Sequence, residues 1–248
     1  MSYAYEMDRP LVARAVESER AAFIRRTYLH LSGAVLAFVS LEFLIFRLFS
    51  EQQMAQFMAS AIGTPVSMLI ILAAFIGVGY LARWWAYNGT SQAMAYAGLT
   101  IYVVFEALIF VPILWMATYG IERIKPGASV NILPQAAIIT LSVFGGLTMA
   151  AFTTRKDFSF LGPIISVAGF AMLGLCVAGI IFGWQMGLWF SFLGVGLASA
   201  YILYDTSNVI HRFRTDQHVA AALELFASLA YLFYHVLRIL LILASERK

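Results

Sequence analysis

Seven long apolar segments, separated by short polar stretches, constrain this chain more than any other feature of its sequence. Each segment is close to or longer than the roughly 17–25 residues that cross a bilayer as a helix. The segments are 28–50, 66–82, 93–118, 132–152, 160–183, 187–209 and 219–244. Strands of a membrane barrel would alternate in polarity over about ten residues, and these runs are longer and more uniformly apolar. We therefore predict an all-α integral membrane protein, a bundle of seven transmembrane helices.

The composition supports this prediction and excludes several other classes of protein. Only 12% of the 248 residues are charged and 62% are hydrophobic, whereas a soluble domain carries about 25% charged residues. A soluble enzyme or a disordered chain is thereby excluded, and the single cysteine, Cys176, excludes a disulfide-stapled module. We found no catalytic or metal-binding motif, so we expect no enzyme activity, no firmly bound metal and no nucleic-acid partner. We expect the lipid bilayer to be the partner that surrounds the helices.

The distribution of Lys and Arg predicts the topology. Residues 1–27 are polar and of mixed charge, which predicts a mobile cytoplasmic tail, followed by a membrane domain over 28–248. With seven spans and a cytoplasmic N-terminus, the cytoplasmic segments hold ten Lys and Arg residues and the external segments four. In the alternative, the last segment re-enters the membrane and leaves the C-terminus inside.

Ionisable residues inside the apolar segments are the candidates for function, because a charge in lipid is costly unless it is paired or faces a cavity. They are Glu42, Glu106, Asp205, Glu224, His235 and Arg238. In the last segment, the spacing of the polar residues places them on one stripe of a helix. The members of this stripe are Glu224, Ser228, Tyr231, His235 and Arg238. The stripe is either a structural polar seam or one wall of an ion or proton path.

Among the candidates, Asp205 and Glu224 are the pair expected to act together on a proton or a cation, because both should lie at the cytoplasmic ends of consecutive spans. Two facing carboxylates share a proton or bind a hard cation through their oxygens. In the alternative, Asp205 pairs with Arg212 or Arg214, and Glu224 is solvated at the membrane surface.

Three segments together resemble the Bax inhibitor-1 family of multi-pass membrane proteins: 153–162, 201–211 and 222–240. The resemblance implies a bundle of seven helices with the last helix at its centre. It also implies a pH-sensitive calcium leak, gated by two aspartates in the last two spans. Asp205 matches the first aspartate, and Ser228 stands where the second is expected.

The run that follows Asp205, together with Ser228, is similar to the bacterial YccA branch of that family. This similarity implies a protein of the bacterial inner membrane that interacts with FtsH, a membrane-anchored AAA protease, and modulates it in membrane-protein quality control. The alternative function is a pH-sensitive leak for calcium or protons. Ca²⁺ is the one cofactor that the resemblance implies.

Overall fold

A computed structural model of the chain describes residues 10–88, 91–124, 126 and 129–246. Seven of its helical stretches are long and apolar enough to cross a membrane, which confirms the predicted fold class and number of spans. The helices are α1 (Glu17–Leu48), α2 (Glu51–Ile62), α3 (Pro65–Asn88), α4 (Gln92–Trp115), α5 (Ile121–Ile124), α6 (Ser129–Thr154), α7 (Leu161–Phe182), α8 (Leu188–His211) and α9 (His218–Glu246). The ends of most spans lie within a few residues of the predicted ends.

The first helix differs most from the prediction, because α1 begins at Glu17 inside the segment predicted to be mobile. Phe23 and Thr27 are buried, and their spacing continues the buried face of α1 towards its N-terminus. Ahead of α1, the buried Val12 donates its backbone N–H to the carbonyl of Phe213 at 2.9 Å. Residues 10–27 thus belong to the folded bundle. Residues 1–9 lie outside the described residues, and the cytoplasmic location of the N-terminus stays a prediction.

Helix α2 was not predicted. It begins with a capping box, in which the Ser50 hydroxyl accepts the Gln53 N–H and the Gln53 side chain accepts the Ser50 N–H. This reciprocal pattern satisfies two donors that a helix N-terminus otherwise leaves free. Hydropathy misses such a helix because it is short and half polar. Glu51 at its start forms an ion pair with Arg123 of α5.

The third span is longer than α4 alone. A π-helical turn, Met116–Gly120, joins α4 to α5, so the span runs over Gln92–Ile124. Pro112 lies just before this turn. Proline cannot donate a backbone hydrogen bond, and single π turns accommodate such local disruption inside helices.

Helix α9 forms the centre of the bundle, as the resemblance implies. It packs against α1, α3, α4, α6 and α8, and its leucines 223, 225, 232 and 237 are fully buried. Its 29 residues extend over about 44 Å at 1.5 Å per residue, more than the hydrocarbon thickness of a bilayer. This unbroken length favours a complete crossing over re-entry. The side of the membrane on which each end lies stays a prediction.

Several contacts define one end of the bundle. The N-terminal segment 10–14 contacts the α8–α9 loop, residues 212–217. At the same end, the Phe158 N–H of the α6–α7 loop donates to Ser207 Oγ at 2.9 Å. We call this the proximal end, and the opposite end, which carries α2, the distal end.

Candidate functional site: a polar cluster in the bundle

The geometry of the site begins with an ion pair between α3 and α9. Arg83 Nε donates to both carboxyl oxygens of Glu224, at 3.1 and 3.0 Å. The predicted apolar segment ends at residue 82, but α3 continues to Asn88 and carries Arg83 into the bundle. The Glu224 side chain is 16% exposed and that of Arg83 is 41% exposed, so the pair is half-buried.

A second polar contact joins α8 to α9. The Ser228 hydroxyl donates a hydrogen bond to Asp205 Oδ2, and both residues are buried. The helices α8 and α9 are neighbours that reverse direction at the loop 212–217, which brings the two side chains together. Ser228 lies one helical turn after Glu224, so α9 presents both contacts on the same face.

Helix α4 extends this group of polar residues. The Arg83 guanidinium lies 5.7 Å from the centre of the Tyr102 ring, a cation–π contact. Glu106 follows Tyr102 by one turn, is buried, and has one carboxyl oxygen that finds no hydrogen-bond partner in the described part of the chain. We call the whole set the core polar cluster: Arg83, Tyr102, Glu106, Asp205, Glu224 and Ser228.

The structure places Asp205 and Glu224 in one cluster, and each has its own partner. Glu224 is held by Arg83, so it is not simply solvated at the membrane surface. Arg214 pairs with Asp216 at 3.0 Å, and this partner raises the pKa of Arg214. Arg214 is therefore engaged outside the cluster. A proton shared between Asp205 and Glu224 remains a prediction.

His235 and Arg238 lie farther along α9, towards the distal end, and are separate from the cluster. Arg238 donates to Ser191 Oγ at 2.7 Å and to the carbonyl of Met186. His235 is buried against Tyr231, at 4.6 Å between ring centres. Gly194 faces the His235 ring so closely that a Cβ would collide with it. These contacts hold α9 against α8 and against the α7–α8 turn that contains Met186.

Glu42 also lies apart from the cluster. It is buried on α1, and it lines a crevice between α1 and α6. The seven predicted candidates therefore separate into three places: the core polar cluster, the distal contacts of α9 and the crevice.

The cluster offers carboxylate oxygens, the ligands that hard cations prefer. In the part of the chain that the structure describes, no three His, Cys, Asp or Glu side chains are grouped as a metal site. The carboxylates of Asp205 and Glu224 are the candidate cation ligands of this cluster, and binding of Ca²⁺ or a proton there stays a prediction.

Arg83 and Tyr102 were not among the predicted site residues. Arg83 directly follows the apolar segment 66–82, and a charged residue at that point predicts a helix end by hydropathy. The signal that could have identified it is charge balance. A buried Glu224 requires a cation from elsewhere in the bundle, and Arg83 is one of the ten basic residues that the predicted topology places at the same end.

Comparisons with known proteins agree with this architecture. Residues 20–246 match the family described as "Inhibitor of apoptosis-promoting Bax1". The chain is 37% identical to a BI1-like protein of Arabidopsis thaliana over 126 residues, which is 44% of this chain and 45% of that protein. It is 34% identical to Protein lifeguard 4 of Mus musculus over 45% of this chain and 47% of that protein.

Bacterial relatives are matched as well. An uncharacterised protein of Neisseria meningitidis is 27% identical over 190 residues, covering 73% of this chain and 75% of that protein. The matches to the plant and mouse proteins span just under half of their length. The family match, in contrast, covers nearly all of the described bundle. The chain is therefore a multi-pass membrane protein that belongs to the Bax inhibitor-1 family.

Proposed function

We propose that the protein is a regulated leak for cations, Ca²⁺ or protons, and that the Arg83–Glu224 ion pair is its latch. The observation that carries this proposal is the contact of Arg83 Nε–H with both carboxyl oxygens of Glu224, one turn from the Asp205–Ser228 hydrogen bond. These two contacts join α3, α8 and α9 near the proximal end.

The Arg83–Glu224 ion pair controls the leak through the charges of its two side chains. While Arg83 contacts Glu224, its guanidinium occupies the carboxylate oxygens and repels other cations. When Arg83 moves away, Glu224 and Asp205 are left as two carboxylates on adjacent helices. They would then attract a cation and also repel each other, which loosens the α8–α9 contact. A cation leak is also the alternative function that the resemblance of segments 153–162, 201–211 and 222–240 to the Bax inhibitor-1 family implies.

Calcium flux into liposomes tests this function. With purified protein and a calcium-sensitive dye trapped inside, we expect flux that Asp205→Asn reduces about tenfold, the factor for a loss of about 1.4 kcal/mol of cation stabilisation. Asparagine retains an oxygen that accepts the Ser228 hydrogen bond, so the fold should persist. Glu51→Gln, an acid at the distal end, is the matched control. Absence of flux, or equal flux in Asp205→Asn, would reject the proposal.

We propose a second function, modulation of a membrane AAA protease of the FtsH type from a cytoplasmic N-terminus at the bacterial inner membrane. The attachment of the N-terminal segment favours it. Besides the Val12–Phe213 bond, Arg20 donates to the carbonyls of Val12 and Ala13 at 3.2 and 3.0 Å. A partner that holds residues 1–9 would act on the α8–α9 loop and, through it, on the start of α9. The bacterial relatives are compatible with this location.

Deletion of residues 2–9 tests this second function. We expect a longer half-life in cells that contain the protease and an unchanged melting temperature, because the contacts of Val12 and Arg20 are retained. Deletion of residues 2–20 should instead destabilise the protein, because it removes those contacts and the first turn of α1. Pulse-chase measurements with and without the protease provide the half-lives. If deletion of residues 2–9 leaves the half-life unchanged, the N-terminal segment is not the part of the protein that the protease holds.

A further inference from the structure

A crevice opens between α1 and α6. Both helices pack against α9, and the space between them has a volume of about 600 Å³. This volume lies within the range of small-molecule sites. The walls and floor are almost entirely apolar and include Phe38, Phe46, Leu133, Leu141, Phe226 and Phe233.

The crevice opens sideways towards the position of the lipid. Val39, Phe43 and Leu141 line it and are 55%, 67% and 57% exposed. Because the surrounding helices are membrane spans, these exposed side chains face acyl chains rather than water. A ligand would therefore enter from the bilayer.

Glu42 is the exception in this apolar surface. It is 7% exposed, and neither of its carboxyl oxygens has a hydrogen-bond partner among the described residues. The buried Thr140 hydroxyl, across the crevice on α6, has no partner there either. Thr118 donates its proton to the Leu114 carbonyl at 2.8 Å, so its oxygen can only accept. The crevice thus holds a carboxylate whose two oxygens accept no hydrogen bond from the described residues, beside a Thr140 hydroxyl that can donate or accept and is also unpaired there.

We propose that this crevice binds a single-chain membrane amphiphile whose head is a protonated primary amine. An ammonium group has three N–H donors and a positive charge, which together match the Glu42 carboxylate and the Thr140 hydroxyl. Its alkyl chain would lie against the apolar walls. Without such a ligand, an ionised carboxylate here would be buried and unpaired, which is costly in an apolar medium.

The depth of Glu42 selects a single-chain head over a phospholipid headgroup. Glu42 precedes the end of α1 by six residues, which places it about 9 Å inside that end at 1.5 Å per residue. The amine of a diacyl phospholipid remains in the interfacial layer, outside the hydrocarbon. A single-chain amine can reach Glu42 from the interface. Its alkyl chain would then extend along α1 towards Val35, which lies seven residues or about 10 Å deeper in the crevice.

Binding of dodecylamine to the purified full-length protein, in phosphatidylcholine nanodiscs, tests the proposal. A diazirine-bearing dodecylamine should label peptides of α1 and α6, and excess dodecylamine should compete. Dodecanoic acid and dodecanol have the same chain and should compete at least about tenfold more weakly, a difference of about 1.4 kcal/mol. Equal competition by the acid or the alcohol would overturn the proposal. Stronger competition by phosphatidylethanolamine than by dodecylamine would overturn the single-chain assignment.

Two variants make the test specific to Glu42. Glu42→Gln keeps the shape but removes the charge, and it should weaken amine labelling about tenfold, again about 1.4 kcal/mol. Ala137→Phe fills the crevice from α6 while leaving Glu42 in place, and should abolish labelling. Glu51→Gln, outside the crevice, should leave it unchanged. Full labelling of Glu42→Gln would overturn the proposal, as would labelling confined to peptides that do not line the crevice. These measurements do not depend on cation flux, so they stand apart from the leak proposal.

Discussion

Replacing Arg83 with glutamine should destabilise the protein by about 2 kcal/mol and increase cation flux. The destabilisation corresponds to the loss of a hydrogen bond to a charged partner, about 1.5–3 kcal/mol. Arg83 is 41% exposed, so the cost stays below the 3–5 kcal/mol that breaking a fully buried pair takes. Flux should rise because Glu224 then has no cation to occupy its oxygens. Unfolding in detergent and dye-loaded liposomes measure the two effects.

A double-mutant cycle separates the ion pair from general damage to α3. Arg83→Gln combined with Glu224→Gln leaves no unpaired charge, so the double variant should be more stable than the sum of the single losses predicts. The Arg123–Glu51 pair at the distal end provides a matched control, because its side chains are 64% and 38% exposed. Its cycle should yield less than about 1 kcal/mol. Equal coupling in both pairs would contradict the special role of Arg83.

Much of the fold could be predicted from the sequence because lipid imposes a simple rule. A helix that crosses the bilayer needs a long apolar run, and each of the seven runs has one counterpart among the described helices. The central position of α9 followed from family resemblance rather than from hydropathy. Helix α2 and the start of α1 were missed because their apolar residues, such as Met54 and Phe23, occur in short groups that polar residues interrupt, rather than in one long apolar run.

The candidate site was predictable only in part, for a physical reason. Hydropathy identifies a charged residue inside an apolar run, as with Asp205 and Glu42, but it does not tell which residues share a neighbourhood. Arg83 at the end of one run and Glu224 near the start of another are separated by 141 positions along the chain. Their contact depends on the packing of α3 against α9, which no spacing within a single helix reports.

Introducing an aspartate at position 228 should produce the largest pH-dependent effect. Ser228 donates a hydrogen bond to Asp205, and both side chains are buried. Ser228→Asp would replace this donor with a second carboxyl group in direct contact with the first. At low pH the two groups share a proton, and the hydrogen bond persists in an altered form. At neutral pH, a second buried charge without a cation should cost on the order of 3 kcal/mol.

The sign of the pH dependence follows from proton binding. A folded Ser228→Asp variant retains a proton on the carboxyl pair at pH values where the unfolded chain has released it. Because the folded state then binds more protons, its stability falls as pH rises. The wild-type chain has a hydroxyl at this position, so the difference in stability between the two proteins should grow with pH. Unfolding midpoints from about pH 5 to 8 measure this difference.

Controls at the same position distinguish charge from size. Ser228→Asn has nearly the shape of the aspartate and can still donate to Asp205, so its stability relative to wild type should not change with pH. Ser228→Ala removes the donor and should cost about 1–3 kcal/mol, because Asp205 loses its hydrogen-bond partner. Cation flux through Ser228→Asp should increase with pH as the two carboxylates repel each other and separate α8 from α9. If the stability of Ser228→Asp relative to wild type does not change with pH, Arg83 or solvent neutralises the new charge. In that case the residue at position 228 does not determine how the stability of the bundle depends on pH.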